Sequence, residues 1–167
     1  MGLVVLTGCG YLGIVFAGKF KSRVRQLMQL ENTMVQLEFD IDFANITLEE
    51  SFLRIGKNQD GVLKDMLLYI SKRLQKDPGC ELKRLWQRAV QKYNESLNLT
   101  DGDIQIITDF FKTLGSGDRE KEKNNIRITA LRLKMAVEEA KIEAEKNSKM
   151  YRGLGFLSGI FLVIVLL

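Results

Sequence analysis

Apolar residues recur every three or four positions through most of the chain, which is the spacing of one buried face of an α-helix. The first stripe follows Phe20 and consists of Val24, Leu27, Leu30, Met34, Leu37 and Ile41. Thr47 with Glu50, and Thr100 with Asp103, have the spacing of capping boxes and predict the first turns of two shorter helices. The fold class that these patterns indicate is all-α.

Breaks between the stripes divide the middle of the chain into separate helices. One helix ends at Gly56, and the next begins at Asp60 and stops at Asp77-Pro78-Gly79. Two further stripes are Leu82, Leu85, Trp86, Ala89, Val90 and Tyr93, then Ile104, Ile107, Phe110, Phe111 and Leu114. From Asp118 onward no Pro or Gly occurs before Gly153, so we expect one helix there.

The large apolar residues of that last helix lie among many charges, and we expect the charged run to be a solvated face. They are Ile128, Leu131, Met135, Ile142 and Met150. In total the sequence predicts a six-helix bundle whose first and last helices are long stalks that enter a membrane.

The membrane prediction comes from the two ends of the chain, which carry no charge. All 25 Lys and Arg and all 21 Asp and Glu lie within residues 19–152. As helices, residues 1–18 and 153–167 would be about 27 Å and about 22 Å long, close to the thickness of a bilayer core. We therefore predict a transmembrane helix at each end. The shorter one spans the bilayer if Tyr151 and Arg152 rise into the interface.

Basic residues next to these segments predict their orientation. They are Lys19, Lys21, Arg23 and Arg25 after the first segment and Lys141, Lys146, Lys149 and Arg152 before the second. Lys and Arg beside a membrane favour the cytoplasmic side, so the domain between the anchors is expected in the cytoplasm. Because nothing basic precedes the first segment, a cleaved signal peptide is not expected. Two alternatives stay open: buried helices of a soluble core, and a lipoprotein box at Leu6-Thr7-Gly8-Cys9.

Small residues four positions apart predict a packed face on each anchor, on which the anchors contact each other or a partner. These transmembrane packing candidates are Gly13, Ala17, Gly155 and Gly159. The membrane-interface candidates are Lys19, Lys21, Lys149, Tyr151 and Arg152.

The composition excludes several kinds of catalytic chemistry. The chain has no His, which rules out imidazole triads and His-containing zinc sites. Cys9 and Cys80 form no CxxC motif and suit a reducing compartment. The acidic clusters lack metal-loop spacing, so we expect Glu38, Asp40 and Asp42 to form a solvated helix end and Asp101 and Asp103 a helix start. We predict no catalytic residue, metal or cofactor.

The glycine-rich start holds two incomplete nucleotide-binding patterns. Gly8 to Gly13 matches GxGxxG, but that fingerprint needs a βαβ unit, and residues 20–41 have helical spacing. Gly13 to Lys19 approaches GxxxxGK, but Phe20 stands where a Ser or Thr would bind magnesium. We therefore favour a packed transmembrane face over a nucleotide site.

Nucleic acid is not a favoured partner, because the basic residues behind the net charge of +4 are spread widely. Trp86 and Tyr93 lie on an apolar stripe, which predicts core packing over base stacking. The cluster of basic residues after the first anchor is better suited to anionic lipid headgroups.

Three stretches of the chain carry a resemblance to a known family. They are residues 22–27 leading to Leu30, Leu37, Glu38 and Ile41; residues 114–120 with Lys123 and Ile126; and residues 146–155 followed by Gly159 and the aliphatic tail. From end to end the chain resembles the stage III sporulation protein AB family of endospore-forming bacteria. It departs at Gly117, where the family usually has Ser, and at residues 46–49, which lack the family's prolines.

The resemblance implies a nonenzymatic platform subunit of the sporulation channel complex that links mother cell and forespore, in the mother-cell membrane around the forespore. It also implies a helical domain similar to the F-type platform protein of type II secretion and type IV pilus machines, whose cytoplasmic bundle docks a hexameric ATPase. The implied partners are the lipid bilayer, the secretion-type ATPase of the complex (stage III sporulation protein AA) and its other membrane subunits, with self-association open.

The candidate partner-binding residues are Arg23, Arg25, Ser116, Asp118, Arg119 and Lys123. Ser116, Asp118 and Arg119 also suit an ordinary helix cap. Two other functions stay open: a stand-alone oligomeric membrane adaptor, and a membrane enzyme that binds a nucleotide at the glycine-rich start.

Overall fold

The computed structural model describes the backbone of residues 2–41, 46–114 and 119–166 and the side chains of residues 18–41, 46–114 and 120–147. Over these residues the protein is all-α, with six α-helices and no strand, which confirms the predicted fold class. The helices are α1 (Gly2–Phe39), α2 (Leu48–Lys57), α3 (Gly61–Lys76), α4 (Leu82–Tyr93), α5 (Asp101–Thr113) and α6 (Arg119–Leu166).

The two longest helices, α1 and α6, lie side by side and antiparallel. Arg23 on α1 bonds Glu143 on α6, whereas Glu38, further along α1, is bonded by Arg127. The end of this pair near Arg23 and Glu143, toward both chain termini, is termed the proximal end. The end near Glu38 and Arg127 is termed the distal end.

Two of the short helices begin at the capping boxes that the sequence predicts. Before α2, Thr47 Oγ1 accepts from the Glu50 N–H at 3.4 Å, and Glu50 Oε2 accepts from the Thr47 N–H at 3.4 Å. Thr100 and Asp103 form the same reciprocal pair before α5, at 3.2 and 2.9 Å. α3 ends at Lys76, just before the Asp77-Pro78-Gly79 break.

All six helices contribute to one core. On α1, the buried residues Leu27, Leu30, Met34 and Leu37 belong to the predicted stripe. Trp86 is fully buried, donates to Thr108 Oγ1 at 3.1 Å and stacks on Phe111 with ring centroids 5.4 Å apart. Tyr93 packs against the core and meets Tyr69 edge-on. Core packing of Trp86 and Tyr93 is thereby confirmed.

The buried face of α6 differs from the apolar residues that stand out in its sequence. Ile128, Leu131, Met135 and Ile142 are exposed, and the helix buries Ile126, Leu133, Ala136, Val137 and Ala140 instead. Two apolar stripes run along opposite faces of this helix. The core uses the face with alanines, because small side chains let α1 and α6 approach closely. Met150 lies outside the described side chains.

The prediction that the acidic residues at the end of α1 are solvated is wrong for Asp40, the central residue of the cluster. Asp40 is only 1% exposed, and its Oδ1 accepts a hydrogen bond from Arg54 on α2. Among the described residues, its other oxygen, Oδ2, has no hydrogen-bond partner. Glu38 is partly buried and pairs with Arg127, whereas Asp42 lies outside the described residues.

Helix α1 crosses residue 18 and α6 crosses residue 152 without a break, so both continue through the predicted domain boundaries. Within the ranges that the structure describes, none of the helices combines the length and the hydropathy of a membrane span. The structure describes only the backbone of the anchor residues Gly13, Ala17, Gly155 and Gly159 and not their packing. Their packing role stays a prediction.

Candidate functional site

Arg23 is the centre of a charged cluster that joins three helices at the proximal end. Its Nε and Nη2 donate to the two carboxylate oxygens of Asp103 on α5, at 2.8 and 3.1 Å. Its Nη1 donates to Glu143 Oε2 on α6 at 2.6 Å. The side chains of Arg23 and Asp103 are 13% and 4% exposed, so this two-pronged pair is largely withdrawn from water.

Asp103 serves two purposes, since it also closes the capping box of α5 with Thr100. Burial alone would raise the pKa of the Asp103 carboxyl, but the hydrogen bonds from Arg23 and Thr100 outweigh burial and lower the pKa below its usual value. The hydrogen bond to Asp103 likewise raises the pKa of Arg23. Both groups are therefore held in their charged forms.

The loop before α5 is fastened to α1 beside this cluster. Gln26 donates to the Ser96 carbonyl at 3.1 Å and accepts from the Asn98 N–H at 2.9 Å. The Asn98 side chain donates to Ser22 Oγ at 3.1 Å. Sequence reasoning missed these contacts, because partners 70 or more residues apart leave no local spacing.

The structure thus gives Arg23, a predicted partner-binding residue, a role inside the fold. Arg25 is exposed instead, and its Nη2 lies against Gly61, where a Cβ would come within 3.2 Å of it. Lys19 and Lys21 are also exposed on α1 near the proximal end. The side chains of Lys149, Tyr151 and Arg152 lie outside the described residues, so these interface candidates stay predictions.

A groove of about 530 Å³ opens at the distal end, between the start of α2, the α3–α4 connection and the end of α5. Its lining mixes apolar and charged side chains, among them Leu48, Leu74, Cys80, Lys83, Phe111 and Leu114. Burial raises the pKa of the Cys80 thiol, which keeps it protonated and a poor nucleophile. The groove therefore suits contact with another molecule more than covalent chemistry.

A second hollow, of about 590 Å³, lies on the other side of the α5 C-terminus and shares Lys112 and Leu114 with the first. Its remaining lining is Thr113, Lys121, Asn124, Asn125 and Ile128. Asn125 ties α6 to the end of α5 by donating to the Phe110 carbonyl at 3.3 Å.

Three of the predicted partner-binding residues, Ser116, Asp118 and Arg119, lie in or next to the connection between α5 and α6 in the sequence. Ser116 and Asp118 lie outside the described residues, and Arg119 is the first residue of α6, with an undescribed side chain. Lys123 is partly buried on the first turns of α6. Arg23 and Lys123 therefore lie near opposite ends of the bundle, and the structure does not bring the predicted set together in one site.

No catalytic constellation stands out in the described part of the chain. There, no group of three or more Cys, Asp or Glu residues is arranged to hold a metal ion. Gly8, Gly10 and Gly13 fall inside α1, whereas the nucleotide fingerprint needs a strand and a tight turn there. The glycine-rich start thus lacks the structural context that its sequence pattern requires.

Taken together, the architecture is that of an all-α bundle in which two long antiparallel helices carry four short ones. A solved structure titled stage III sporulation protein AB (SpoIIIAB) has the same fold, with a TM-score of 0.68 at 22% identity, over 74% of this chain and 97% of that chain. The chain is also 25% identical over 163 residues to stage III sporulation protein AB of Bacillus subtilis (strain 168), which covers 98% of this chain and 95% of the relative.

The family model described as stage III sporulation protein AB matches residues 1–167. The chain belongs to this family. The names of its relatives support a sporulation-related role.

Proposed function

We propose that the chain is a nonenzymatic membrane platform subunit of the sporulation channel complex between mother cell and forespore. Its helical bundle docks a secretion-type ATPase, the stage III sporulation protein AA of the complex, through the distal end. Family membership supports the sporulation part of this proposal. The observation that carries the docking part is the pair of hollows around the α5 C-terminus.

The anchoring part rests on the uncharged ends of the chain. Residues 1–18 and 153–167 carry no charge, and residues 2–18 and 153–166 are the parts of the two long helices that extend from the proximal end of the bundle. The exposed residues Lys19, Lys21 and Arg25 lie next to the first of them and meet anionic headgroups on the cytoplasmic side.

The distal hollows are suited to a partner because they face away from that surface. Arg23 and Glu38 mark the proximal and distal ends of α1, and the helix rises about 22 Å between them at 1.5 Å per residue. Lys83 and Lys112 line the first groove together with Glu49 and Glu81, so its charges balance, whereas Lys112 and Lys121 are the charged residues that line the second. A partner segment that is apolar at the first groove and acidic at the second complements these linings.

Capture of the ATPase from sporulating cells tests the docking. Tagged full-length protein is purified from membranes and bound proteins are identified by mass spectrometry. The Lys83→Glu/Lys112→Glu variant reverses two charges at the grooves, and Lys64→Glu/Lys72→Glu reverses two exposed charges of α3 that line neither groove. We expect wild type and control to retain a secretion-type ATPase. The groove variant should capture at least about tenfold less of it, because one or two contacts with the ATPase are disrupted.

Two outcomes would contradict the proposal. If the wild-type protein captured no ATPase, the proposed platform function would be wrong. If the ATPase bound the groove variant and the control equally, the docking site would lie elsewhere than at the distal end.

A further inference from the structure

The outward face of α6 carries an apolar stripe that the fold leaves exposed. Ile128, Leu131, Met135 and Ile142 are 42%, 62%, 67% and 69% exposed. Their spacing of three, four and seven residues aligns them along one side of the helix, away from the buried Leu133, Ala136 and Ala140. This is the spacing of a helix–helix seam.

The neighbouring helix α1 shows a second exposed row, Met28, Val35 and Phe39, at 49%, 55% and 57% exposure. A groove of about 330 Å³ between the helices is lined by Glu31 and Glu38 of α1 and by Leu131 of α6, among others. Val35 falls between Glu31 and Glu38 along the same helix. The two rows therefore border one groove and belong to one surface, termed the outer face.

The two rows lie at matching heights along the antiparallel pair. The ion pairs of Arg23 with Glu143 and of Glu38 with Arg127 fix the register. In that register, Val35 lies level with Leu131. By the same register, Phe39 lies within one helical turn, about 5.4 Å, of Ile128, and Met28 within one turn of Met135.

Charges beside the rows are complementary at each height. In the distal half, Glu38 of α1 is bonded to Arg127 of α6 within the chain; beside this pair, α1 carries Glu31, and α6 carries the exposed residues Arg132 and Lys134. In the proximal half, Arg23 is bonded to Glu143 and Lys141 to Glu138 within the chain. Beside these pairs the signs reverse: α1 carries Lys21 and Arg25, and α6 carries Glu139 and Glu145 alongside Lys146. An α1 surface therefore fits an antiparallel α6 surface at this same register.

We propose that the outer face binds the outer face of a second copy of this chain. The two-fold axis runs parallel to the long helices, so that α1 of each copy packs against α6 of the other, antiparallel and at the same height. Such a contact is isologous, and four long helices form a bundle across it.

Charge disfavours one alternative symmetric arrangement, in which α6 packs on α6 of the second copy with the two helices parallel. That arrangement sets Glu138 against Glu138 of the partner subunit and brings Arg127 near Arg132 of the partner subunit. In the proposed dimer all chain termini point to the same side. Two copies anchored in one membrane meet this requirement. Ile128 also lines the second hollow, so the outer face borders the proposed docking surface, but the dimer itself does not require the ATPase.

Disulfide cross-linking between differently tagged copies tests the pairing. Full-length protein in detergent carries Cys9→Ser and Cys80→Ser, and one copy adds Val35→Cys while the other adds Leu131→Cys. We expect a disulfide between the two tags for this pair, and none when Lys64→Cys, on exposed α3, replaces Val35→Cys. The proposal would be overturned if two copies that both carry Leu131→Cys cross-linked preferentially to each other, or if no disulfide formed between copies.

A second measurement is the mass of the full-length protein in micelles by light scattering at rising concentration. Leu131→Glu/Met135→Glu places two carboxylates on the seam and should weaken the dimer at least about tenfold. The control Gln75→Glu/Gln91→Glu adds the same charge at exposed positions of α3 and α4 and should leave the dimer intact. At concentrations low enough for wild type to be monomeric, both variants should unfold at the wild-type temperature, because the substituted residues are exposed.

A monomer at every concentration, or a seam variant that dimerises like wild type, would refute the dimer. The dimer would also be refuted if the outer face were covered only in a complex with a different protein, because the outer face would then bind that protein and not a second copy.

Discussion

Arg23 on α1 holds Asp103 on α5 through hydrogen bonds of 2.8 and 3.1 Å across 80 residues of sequence. The same guanidinium donates to Glu143 on α6, so one side chain of α1 holds both α5 and α6. The proximal end of the bundle thus contains a cluster of ion pairs, termed the polar lock, next to its exposed basic residues. In the proposed function, this lock keeps the bundle in fixed orientation relative to the anchors.

Arg23→Ala should destabilise the fold by about 2 to 3 kcal/mol, because the nearly buried carboxylate of Asp103 would lose its charged partner. Arg23→Lys should recover only part of this loss, since an ammonium cannot replace the two-pronged contact. Chemical denaturation of the full-length protein in detergent, followed by circular dichroism, measures both. Arg25→Ala, at an exposed neighbour, is the matched control and should change the free energy of unfolding by less than about 0.5 kcal/mol.

Asp103 should also make stability depend on pH. Its pKa in the fold lies below the unfolded value of about 3.9, so the unfolded chain binds more protons in acid. The contribution is complete above the unfolded pKa and is lost as the pH falls through the lowered folded pKa. In denaturation curves recorded from pH 7 down to pH 2, Asp103→Asn should lose less stability than wild type below about pH 4. Equal slopes would show that Asp103 is not held charged, and Asp101→Asn, at an exposed neighbour, controls for the substitution.

The buried carboxylate at the distal end gives a double-mutant test. Arg54→Ala removes the partner of the nearly inaccessible Asp40 carboxyl group, and should cost about 2 to 3 kcal/mol of unfolding free energy. Adding Asp40→Asn should recover part of that cost, because the amide carries no charge. Additive effects of the two substitutions, measured by denaturant titration, would contradict a direct pairing of these residues.

Local patterns predicted most of the fold but little of its polar interior. Thr47 with Glu50 and Thr100 with Asp103 mark helix starts because their contacts span three residues. Arg23 with Asp103, and Asp40 with Arg54, depend on how helices pack, which spacing along one helix does not encode. The apolar residues of α6 stood out by size, whereas the contact with α1 uses Ala136 and Ala140. The buried face of α6 therefore combines alanines with Ile126 and Leu133, and the size of its apolar residues did not distinguish it from the exposed face.

The uninterrupted α6 supplies a last prediction, on how the platform transmits movement of the ATPase. The helix runs from Arg119 to Leu166 and joins the distal hollows to the predicted C-terminal anchor. Glu145→Pro would remove a backbone donor and clash with the carbonyl of residue 141, which kinks or breaks a helix at a cost of about 3 kcal/mol. We expect this variant to enter the membrane fraction and to capture the ATPase, yet to sporulate as poorly as a deletion strain. Glu145→Ala keeps the helix and should sporulate normally. Wild-type spore counts from the proline variant would refute a rigid stalk, while loss of its membrane insertion would show that the break acts on anchoring instead.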